Sequence, residues 1–204
     1  MSEISQAKKE ILNNIFLLYW KWDTKPDWDN IQENSPEDLL LAVYDDLKKG
    51  ALTKYPWRCL RKYSLQNGKE NSEAIDKKYK YESTLPEDFL FATGFWEDVE
   101  RRHGIQNEVE FVGMTAKTNY KTFIMEYISC EVEEANMDRW LREYLSLYIA
   151  MEASDIGGCN AETKNYLIQK ESLEFVNTCN KDYEMDHKDE VSPSIHQFQY
   201  EDWS

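Results

Sequence analysis

The side chains that could carry out chemistry in this chain are a group of carboxylates and one histidine with acidic neighbours. Glu131, Glu133 and Glu134 are close enough in sequence to bind two metal ions, as the carboxylates of metal-dependent nucleases do. They stand in a linker before a helix, where a solvated run of charge explains them better. His187 lies among acidic residues that could hold a hard cation weakly, and a solvated acidic face again explains the pattern better. We therefore expect no metal site and no cofactor.

No enzyme motif adds to this weak set of groups. The sequence lacks the phosphate-binding Gly-x-x-x-x-Gly-Lys loop, the Gly-x-Gly-x-x-Gly turn, the His-Glu-x-x-His helix and the Gly-x-Ser-x-Gly elbow. Its 7 glycines are few for a loop that cradles phosphate. Cys59, Cys130, Cys159 and Cys179 form no Cys-x-x-Cys pair, so we expect reduced thiols that pack as small apolar side chains. We expect no catalytic residue and no enzymatic activity.

The net charge of the chain excludes one class of binding partner. A net charge of −15 excludes a general DNA-binding protein, because phosphate neutralisation by basic side chains supplies most of that affinity. The acidity is uneven, since residues 55–82 carry more basic than acidic side chains. No apolar run approaches the ~20 residues of a membrane helix. The N-terminus lacks a secretory signal, so we expect synthesis in the cytoplasm and no membrane.

Helical periodicity and helix-capping signals predict four helices, at about 3–22, 36–49, 137–154 and 161–185. Ser35 and Pro36 are typical of a helix start, and Gly50 is typical of a helix end. Gly157 and Gly158 predict a short turn, which would make the last two helices antiparallel neighbours. The last helix is expected to turn these residues inward: Tyr166, Leu167, Leu173, Val176, Cys179 and Tyr183.

The segment between the second and third helices changes to an alternating pattern, which is typical of strands. Residues 55–65 predict one strand, and residues 108–114 and 120–129 predict a hairpin. Residues 66–80 are expected to form a flexible polar loop. The predicted fold class is therefore α+β and mainly α. It is a four-helix bundle over residues 1–188, with a small antiparallel β-layer within 55–130 inserted between helices 2 and 3.

Residues 189–204 lack a helical period and predict an extended C-terminal arm. Pro193 resists continuation of the preceding helix. Aromatic side chains bury much area for few torsions, which makes them common anchors between proteins. We expect the arm to bind a partner through Ile195, Phe198, Tyr200 and Trp203.

Two short segments, in this order and between these helices, are the most specific feature of the sequence. Tyr55, Pro56 and Trp57 enter the β-region, and Leu85-Pro86-Glu87-Asp88 follows the polar loop. With the flanking helix pair and helical hairpin, they make the chain resemble the head-to-tail adaptors of tailed bacteriophages, of the tail tubular protein A type. The resemblance covers about residues 36–188, and the segment 94–119 departs from it.

The resemblance implies a structural virion protein, made in the host cytoplasm and without a cofactor. Several copies, commonly twelve, would form a ring between the portal protein and the tail, and DNA would pass through the lumen without specific binding. The arm would reach the portal or an adjacent subunit. An acidic inhibitor that mimics DNA and binds a host DNA-processing enzyme is the alternative function that composition leaves open.

Overall fold

The computed structural model of this protein describes residues 4–70, 78–97, 100 and 103–186. Within them the chain forms four α-helices: α1 (Gln6–Asn14), α2 (Pro36–Leu52), α3 (Arg139–Glu152) and α4 (Ala161–Asp186). It also forms seven strands: β1 (Arg61–Asn67), β2 (Lys69–Glu70), β3 (Tyr81–Thr84), β4 (Phe89–Trp96), β5 (Val109–Val112), β6 (Thr115–Thr118) and β7 (Thr122–Ser129). No helix in these described ranges is both long and apolar enough to cross a bilayer.

The seven strands form two antiparallel sheets rather than one small layer. The first has the order β1-β7-β4 and the second the order β2-β3-β6-β5. The predicted four-helix bundle with a small β-layer is therefore wrong, and the protein is a mixed α and β fold. Several strands leave most of their side chains exposed or half-buried, as β1 and β5 do. Such strands produce little alternation of apolar and polar residues, which is why the sequence underestimates them.

The predicted hairpin also differs in its partners. β5 turns through Gly113 and Met114 into β6, whereas β7 leaves the hairpin and becomes the central strand of the other sheet. Successive side chains of β7 then face different cores. Phe123, Met125 and Tyr127 join the core between the strands, and Ile128 joins the core of the helices. β7 thus connects the two parts of the fold.

The start of α2 agrees with its sequence signals, but its end does not. Ser35 Oγ accepts a hydrogen bond from the backbone N–H of Asp38 at 3.3 Å, and Pro36 is the first helical residue. The helix continues through Gly50 to Leu52, so the expectation that Gly50 ends it is wrong. An ideal Cβ at position 50 would lie 3.0 Å from the hydroxyl of Tyr148. This glycine therefore allows close packing of α2 against α3.

The N-terminal helix is shorter than expected and changes geometry before it ends. After α1, residues Ile15–Tyr19 form a π-helical turn, and the chain then carries Trp20 beneath the turn between α3 and α4. Its indole N–H donates to the carbonyl of Ala150 at 3.0 Å. A Cβ on Gly157 would lie 2.3 Å from the Trp20 ring, so this ring requires glycine there.

Helix α4 presents the opposite face to the one that its apolar pattern predicts. Its buried residues are Leu167, Glu171, Thr178 and Asp182. Of the six residues expected to point inward, Leu167 is buried as predicted and Cys179 is half-buried, but four are exposed: Tyr166, Leu173, Val176 and Tyr183. The expectation for these four is wrong because polar contacts of the buried residues, described below, set the rotation of the helix.

Candidate functional site

The Pro-Trp segment lies inside the helical core. The Trp57 side chain is fully buried. Its ring centroid is 6.1 Å from that of Trp140, 5.8 Å from Tyr144 and 6.3 Å from Phe175, so it packs between α3 and α4. Tyr55 is half-buried, with its ring centroid 4.8 Å from that of Trp57. Packing of this kind anchors the chain where it leaves α2 for the sheets.

The residue after Trp57 connects this segment to α4. The backbone N–H of Arg58 donates to both carboxylate oxygens of Asp182, at 3.2 and 3.1 Å. The Arg58 guanidinium also pairs with Asp138, at 3.0 Å, just before α3. Burial raises the pKa of Asp182 above its ordinary value, against the lowering effect of the Arg58 backbone hydrogen bond and the nearby Arg61. Ionisation of the Asp182 carboxylate therefore lowers the free energy of unfolding.

A second polar contact fixes the middle of α4. Tyr144 donates its hydroxyl hydrogen to Glu171 Oε1 at 2.7 Å, and Lys54 Nζ lies 2.8 Å from the same oxygen. Desolvation by burial, reinforced by the Glu171 hydrogen bond, raises the pKa of Tyr144. A buried carboxylate that keeps two hydrogen-bond partners is a stable arrangement, and losing one partner would be costly. Glu171 and Asp182 together fix which face of α4 is buried.

The carboxylates considered for a metal site do not converge. Glu134 is buried and accepts hydrogen bonds from Lys48 at 2.8 Å and Tyr44 at 3.3 Å, whereas Glu131 and Glu133 are exposed. Burial alone would raise the pKa of Glu134, but Lys48 lowers it below its ordinary value. In the described ranges, no three histidine, cysteine or acidic side chains are placed to hold a metal ion. Glu134 instead ties the segment before α3 to α2.

The Leu-Pro-Glu-Asp segment holds the two sheets together. Leu85 is buried, and its backbone N–H donates to the carbonyl of Met114 at 3.0 Å, at the tip of the β5–β6 hairpin. Pro86 is half-buried beside it. The Asp88 carboxylate is buried, and the backbone N–H of Cys130 donates to the Asp88 carbonyl at 2.8 Å. The segment thus joins the second sheet to the end of β7.

Three side chains satisfy the Asp88 carboxylate. Lys62 Nζ lies 2.5 Å from it, Ser129 donates at 2.6 Å and Tyr127 donates at 3.0 Å. Burial by itself would raise the pKa of Asp88, but these hydrogen bonds lower it below its ordinary value. Burial, reinforced by the hydrogen bond to Asp88, raises the pKa of Tyr127 to about 12. Asp88 is therefore ionised and occupied with internal contacts, so its role is structural.

The cysteines are free thiols, all half-buried. Burial raises the pKa of Cys59 and of Cys179 to about 11, so both are protonated at neutral pH. A protonated, partly buried thiol is a poor nucleophile. Neither group is suited to nucleophilic catalysis.

The surface best suited to binding is the exposed face of α4, which sequence reasoning assigned to the core. Tyr166 is 49% exposed, Leu173 63%, Val176 41% and Tyr183 56%. A second helical stripe in the sequence could have predicted this exposed face: Leu167, Glu171, Thr178 and Asp182. Its two carboxylates accept hydrogen bonds from Tyr144 of α3 and from the backbone of Arg58, next to Trp57. We call Tyr166, Leu173, Val176 and Tyr183 the α4 stripe. The predicted arm residues Ile195, Phe198, Tyr200 and Trp203, and also His187, lie outside the described residues.

No protein-family model and no curated protein matches the sequence.

Proposed function

We propose that this protein is a non-catalytic subunit of the ring that joins the portal of a tailed bacteriophage to its tail. The observation that carries the proposal is that the two motif segments connect the parts of the fold to one another. Trp57 and Arg58 fasten the start of the β-region to the helices, and Leu85 and Asp88 fasten one sheet to the other. In both segments the side chains that make these contacts, Trp57, Leu85 and Asp88, are buried. Their order along the chain, between a helix pair and a helical hairpin, is the order that the adaptor resemblance implies.

The charge of the protein fits a channel for DNA. Each copy carries a net charge of −15, so a ring of copies would surround its lumen with a negative potential. Such a potential repels the phosphate backbone and lets a duplex pass without adhering. We propose that the acidic regions 83–136 and 137–188 supply much of that lumen, and that the basic loop 69–80 faces an acidic neighbouring subunit or partner.

The partners in this proposal are other copies of the chain, the portal protein and the next tail protein. A closed ring requires a contact between two different surfaces of neighbouring copies. We propose a dodecamer within the virion, with residues 189–204 as the arm that binds the portal or an adjacent subunit. No cofactor takes part.

The test is assembly with the portal protein encoded by the same genome. The purified protein, alone and mixed with assembled portal rings, is examined by native mass spectrometry and negative-stain electron microscopy. We expect a fixed number of copies to add to each portal as a ring at one end. A portal that binds no copies under any assembly condition would overturn the proposal.

The same preparation separates the alternative. A DNA mimic would bind a host DNA-processing enzyme tightly as a soluble unit and would compete with duplex DNA for that enzyme. It would have no affinity for the portal. Pull-down from host extract in the presence and absence of competing DNA, beside the portal assay, therefore distinguishes the two functions.

A further inference from the structure

The π-helical turn after α1 lies beside a cleft between α1, α3 and α4. The cleft has a volume of about 320 Å³, and it is lined by Tyr19 of the turn, Trp140 of α3 and Thr178 of α4. In the turn, the backbone N–H of Trp20 donates to the carbonyl of Ile15, five residues earlier, at 2.9 Å. Such wide turns are rare, and they are frequent at functional sites. The turn therefore makes this cleft a candidate binding site.

The cleft contains three acidic and three basic side chains: Glu10, Glu143, Glu174, Arg139, Lys170 and Lys181. Two of the acids already have basic neighbours within the fold. Glu143 pairs with Arg139 at 2.9 Å, and Glu10 lies 3.8 Å from Arg142. These groups balance one another and leave little charge for a ligand.

The remaining three charges of the cleft all belong to α4, and one of them also has neighbours within the fold. Lys170 Nζ lies 5.1 Å from the ring centroid of Tyr19 and 5.6 Å from that of Tyr166. Within the described part of the chain, the side chains of Glu174 and Lys181 form no ion pair and no hydrogen bond. One negative and one positive group therefore line the cleft with their hydrogen-bonding capacity unused.

A hydroxyl group lies between these two charges on α4. Glu174, Thr178 and Lys181 are four and three residues apart, which places them on one side of the helix over about 10 Å. Thr178 is only 3% exposed, and no described residue forms a hydrogen bond with its hydroxyl. Buried hydroxyl groups normally have a partner, so a ligand group at this position would gain a hydrogen bond. The order carboxylate, hydroxyl, ammonium is complementary to a ligand that carries both an ammonium and a carboxylate.

The other two elements supply aromatic and apolar surface for the rest of such a ligand. Trp140 is half-buried, and Leu18 of the π-helical turn is 61% exposed. Burial, reinforced by the charges of Glu174 and Glu143, raises the pKa of Tyr19 to about 12, so its hydroxyl remains protonated. The cleft is at the lower end of the range of ligand pockets, about 300–1,000 Å³, which fits a ligand of amino-acid size rather than a dinucleotide.

We propose that this cleft binds a small zwitterion, an α-amino acid with an apolar or aromatic side chain. The ammonium group of the ligand pairs with Glu174. Its carboxylate accepts hydrogen bonds from the Thr178 hydroxyl and from Lys181, and its side chain packs on Trp140 and Leu18. This inference goes beyond the proposed function, since neither a connector ring nor a DNA mimic uses a small ligand.

The net charge of the protein supports a ligand with no net charge. At −15 the chain repels an anion. A ligand that is only cationic would meet Arg139, Lys170 and Lys181 in the cleft. A zwitterion avoids both costs and places each of its charges beside a group of opposite sign.

The first experiment is an NMR titration of the isotope-labelled full chain with L-phenylalanine and with L-leucine. A ligand with so few atoms binds weakly, so we expect a dissociation constant of about 1 mM. The chemical-shift changes should saturate and should map to the Trp140 indole and to the amides near Thr178. N-acetylphenylalanine, which lacks the ammonium, and phenylalanine amide, which lacks the carboxylate, should each bind about fivefold more weakly than L-phenylalanine.

Two substitutions in the cleft connect each charge of the ligand to its residue. Glu174→Gln should weaken L-phenylalanine binding about fivefold and leave N-acetylphenylalanine binding unchanged, because that probe has no ammonium. Lys181→Gln should weaken L-phenylalanine binding by a similar factor and leave phenylalanine amide binding unchanged, because that probe has no carboxylate. Glu184→Gln is the matched control, because Glu184 is exposed on α4 and does not line the cleft.

Three outcomes would overturn the proposal. The first is the absence of saturable shift changes up to about 20 mM of either amino acid, which would show that the cleft is only solvated. The second is a set of shift changes that maps away from the cleft. The third is equal affinity for L-phenylalanine and its two blocked forms, which would mean that the charges of the cleft take no part. None of these outcomes bears on portal binding, so this inference and the proposed function can fail separately.

Discussion

The backbone N–H of Arg58 donates to both carboxylate oxygens of Asp182, across 124 residues of sequence. This relationship sets the rotation of α4. Because Asp182 and Glu171 face the core, the apolar residues of the α4 stripe lie on the opposite side of the helix and face solvent. Polar contacts within the fold thus expose a surface that the hydrophobic pattern alone would bury.

The first prediction concerns the Asp182 carboxylate. Its folded-state pKa is raised, so its ionised form destabilises the folded state at neutral pH, and that cost disappears as the pH falls through the raised value. Asp182→Asn keeps an oxygen to accept the Arg58 N–H and removes the buried charge. We expect it to be as stable as the wild type, or up to about 1 kcal/mol more stable, at pH 7.

Urea unfolding of both proteins between pH 4 and pH 8 measures the effect. The difference in unfolding free energy should shrink toward acidic pH, where the wild type takes up the proton. A variant that is clearly less stable than the wild type at pH 7 would show that the ionised carboxylate is a net stabilising partner of Arg58 and Arg61.

The second prediction concerns Asp88, whose pKa is shifted the other way. Because its folded-state pKa is below the ordinary 3.8, its contribution is complete above that value and is lost as the pH falls through the lower folded-state pKa. Asp88→Asn should cost about 1–3 kcal/mol at neutral pH, since Lys62, Ser129 and Tyr127 lose their charged acceptor.

The same urea series tests this second substitution. Lys62→Met is the matched control on the partner side, and a smaller loss is expected because the lysine is partly exposed. Equal stability of Asp88→Asn and wild type at pH 7 would contradict the structural role given to the Leu-Pro-Glu-Asp segment.

The helices could be predicted from the sequence because their signals are local. Ser35 and Pro36 mark the start of α2, and the heptad pattern from Trp140 marks α3. The prediction that Gly50 ends α2 is wrong because glycine is used both to end a helix and to let two helices pack closely. Only the position of Tyr148, far along the chain, distinguishes these roles.

The sheets and the candidate interface depend on contacts between distant residues. Lys62 and Tyr127 become neighbours through pairing of β1 with β7, and neither residue carries a local signal for it. On α4, Leu173 and Val176 have the periodicity of core residues, and nothing within the helix tells a core from an interface. The motif segments could be located from the sequence, but their internal packing could not.

The third prediction tests the close approach of α2 and α3. Alanine is favoured over glycine inside a helix by about 1 kcal/mol. A Cβ at position 50, however, would lie 3.0 Å from the Tyr148 hydroxyl. We expect Gly50→Ala to be neutral or destabilising in the wild type and stabilising by up to about 1 kcal/mol in Tyr148→Phe, which lacks that oxygen.

Thermal and urea unfolding of the four proteins in this double-mutant cycle give the coupling. The adjacent α2 residue Ala51, which is buried, provides the reference. The cost of Ala51→Gly should be the same in both backgrounds if the coupling is specific to position 50. Additive effects of Gly50→Ala and Tyr148→Phe would mean that the two helices tolerate the extra methyl group without a steric clash.

The last prediction concerns the arm of the proposed connector. Deletion of residues 189–204 leaves every described helix and strand in place, since these end at Asp186. We therefore expect unchanged helical circular dichroism and unchanged unfolding free energy, together with weaker incorporation into portal complexes.

A second variant tests the aromatic anchors of the arm. Ordering a segment on binding costs conformational entropy, and the burial of aromatic side chains supplies the binding free energy that offsets this cost. A full-length variant with serine at 195, 198, 200 and 203 should therefore match the deletion in the portal assay. If both assemble like the wild type, the portal contact lies in the described fold. If the deletion unfolds the protein, the arm is part of the core.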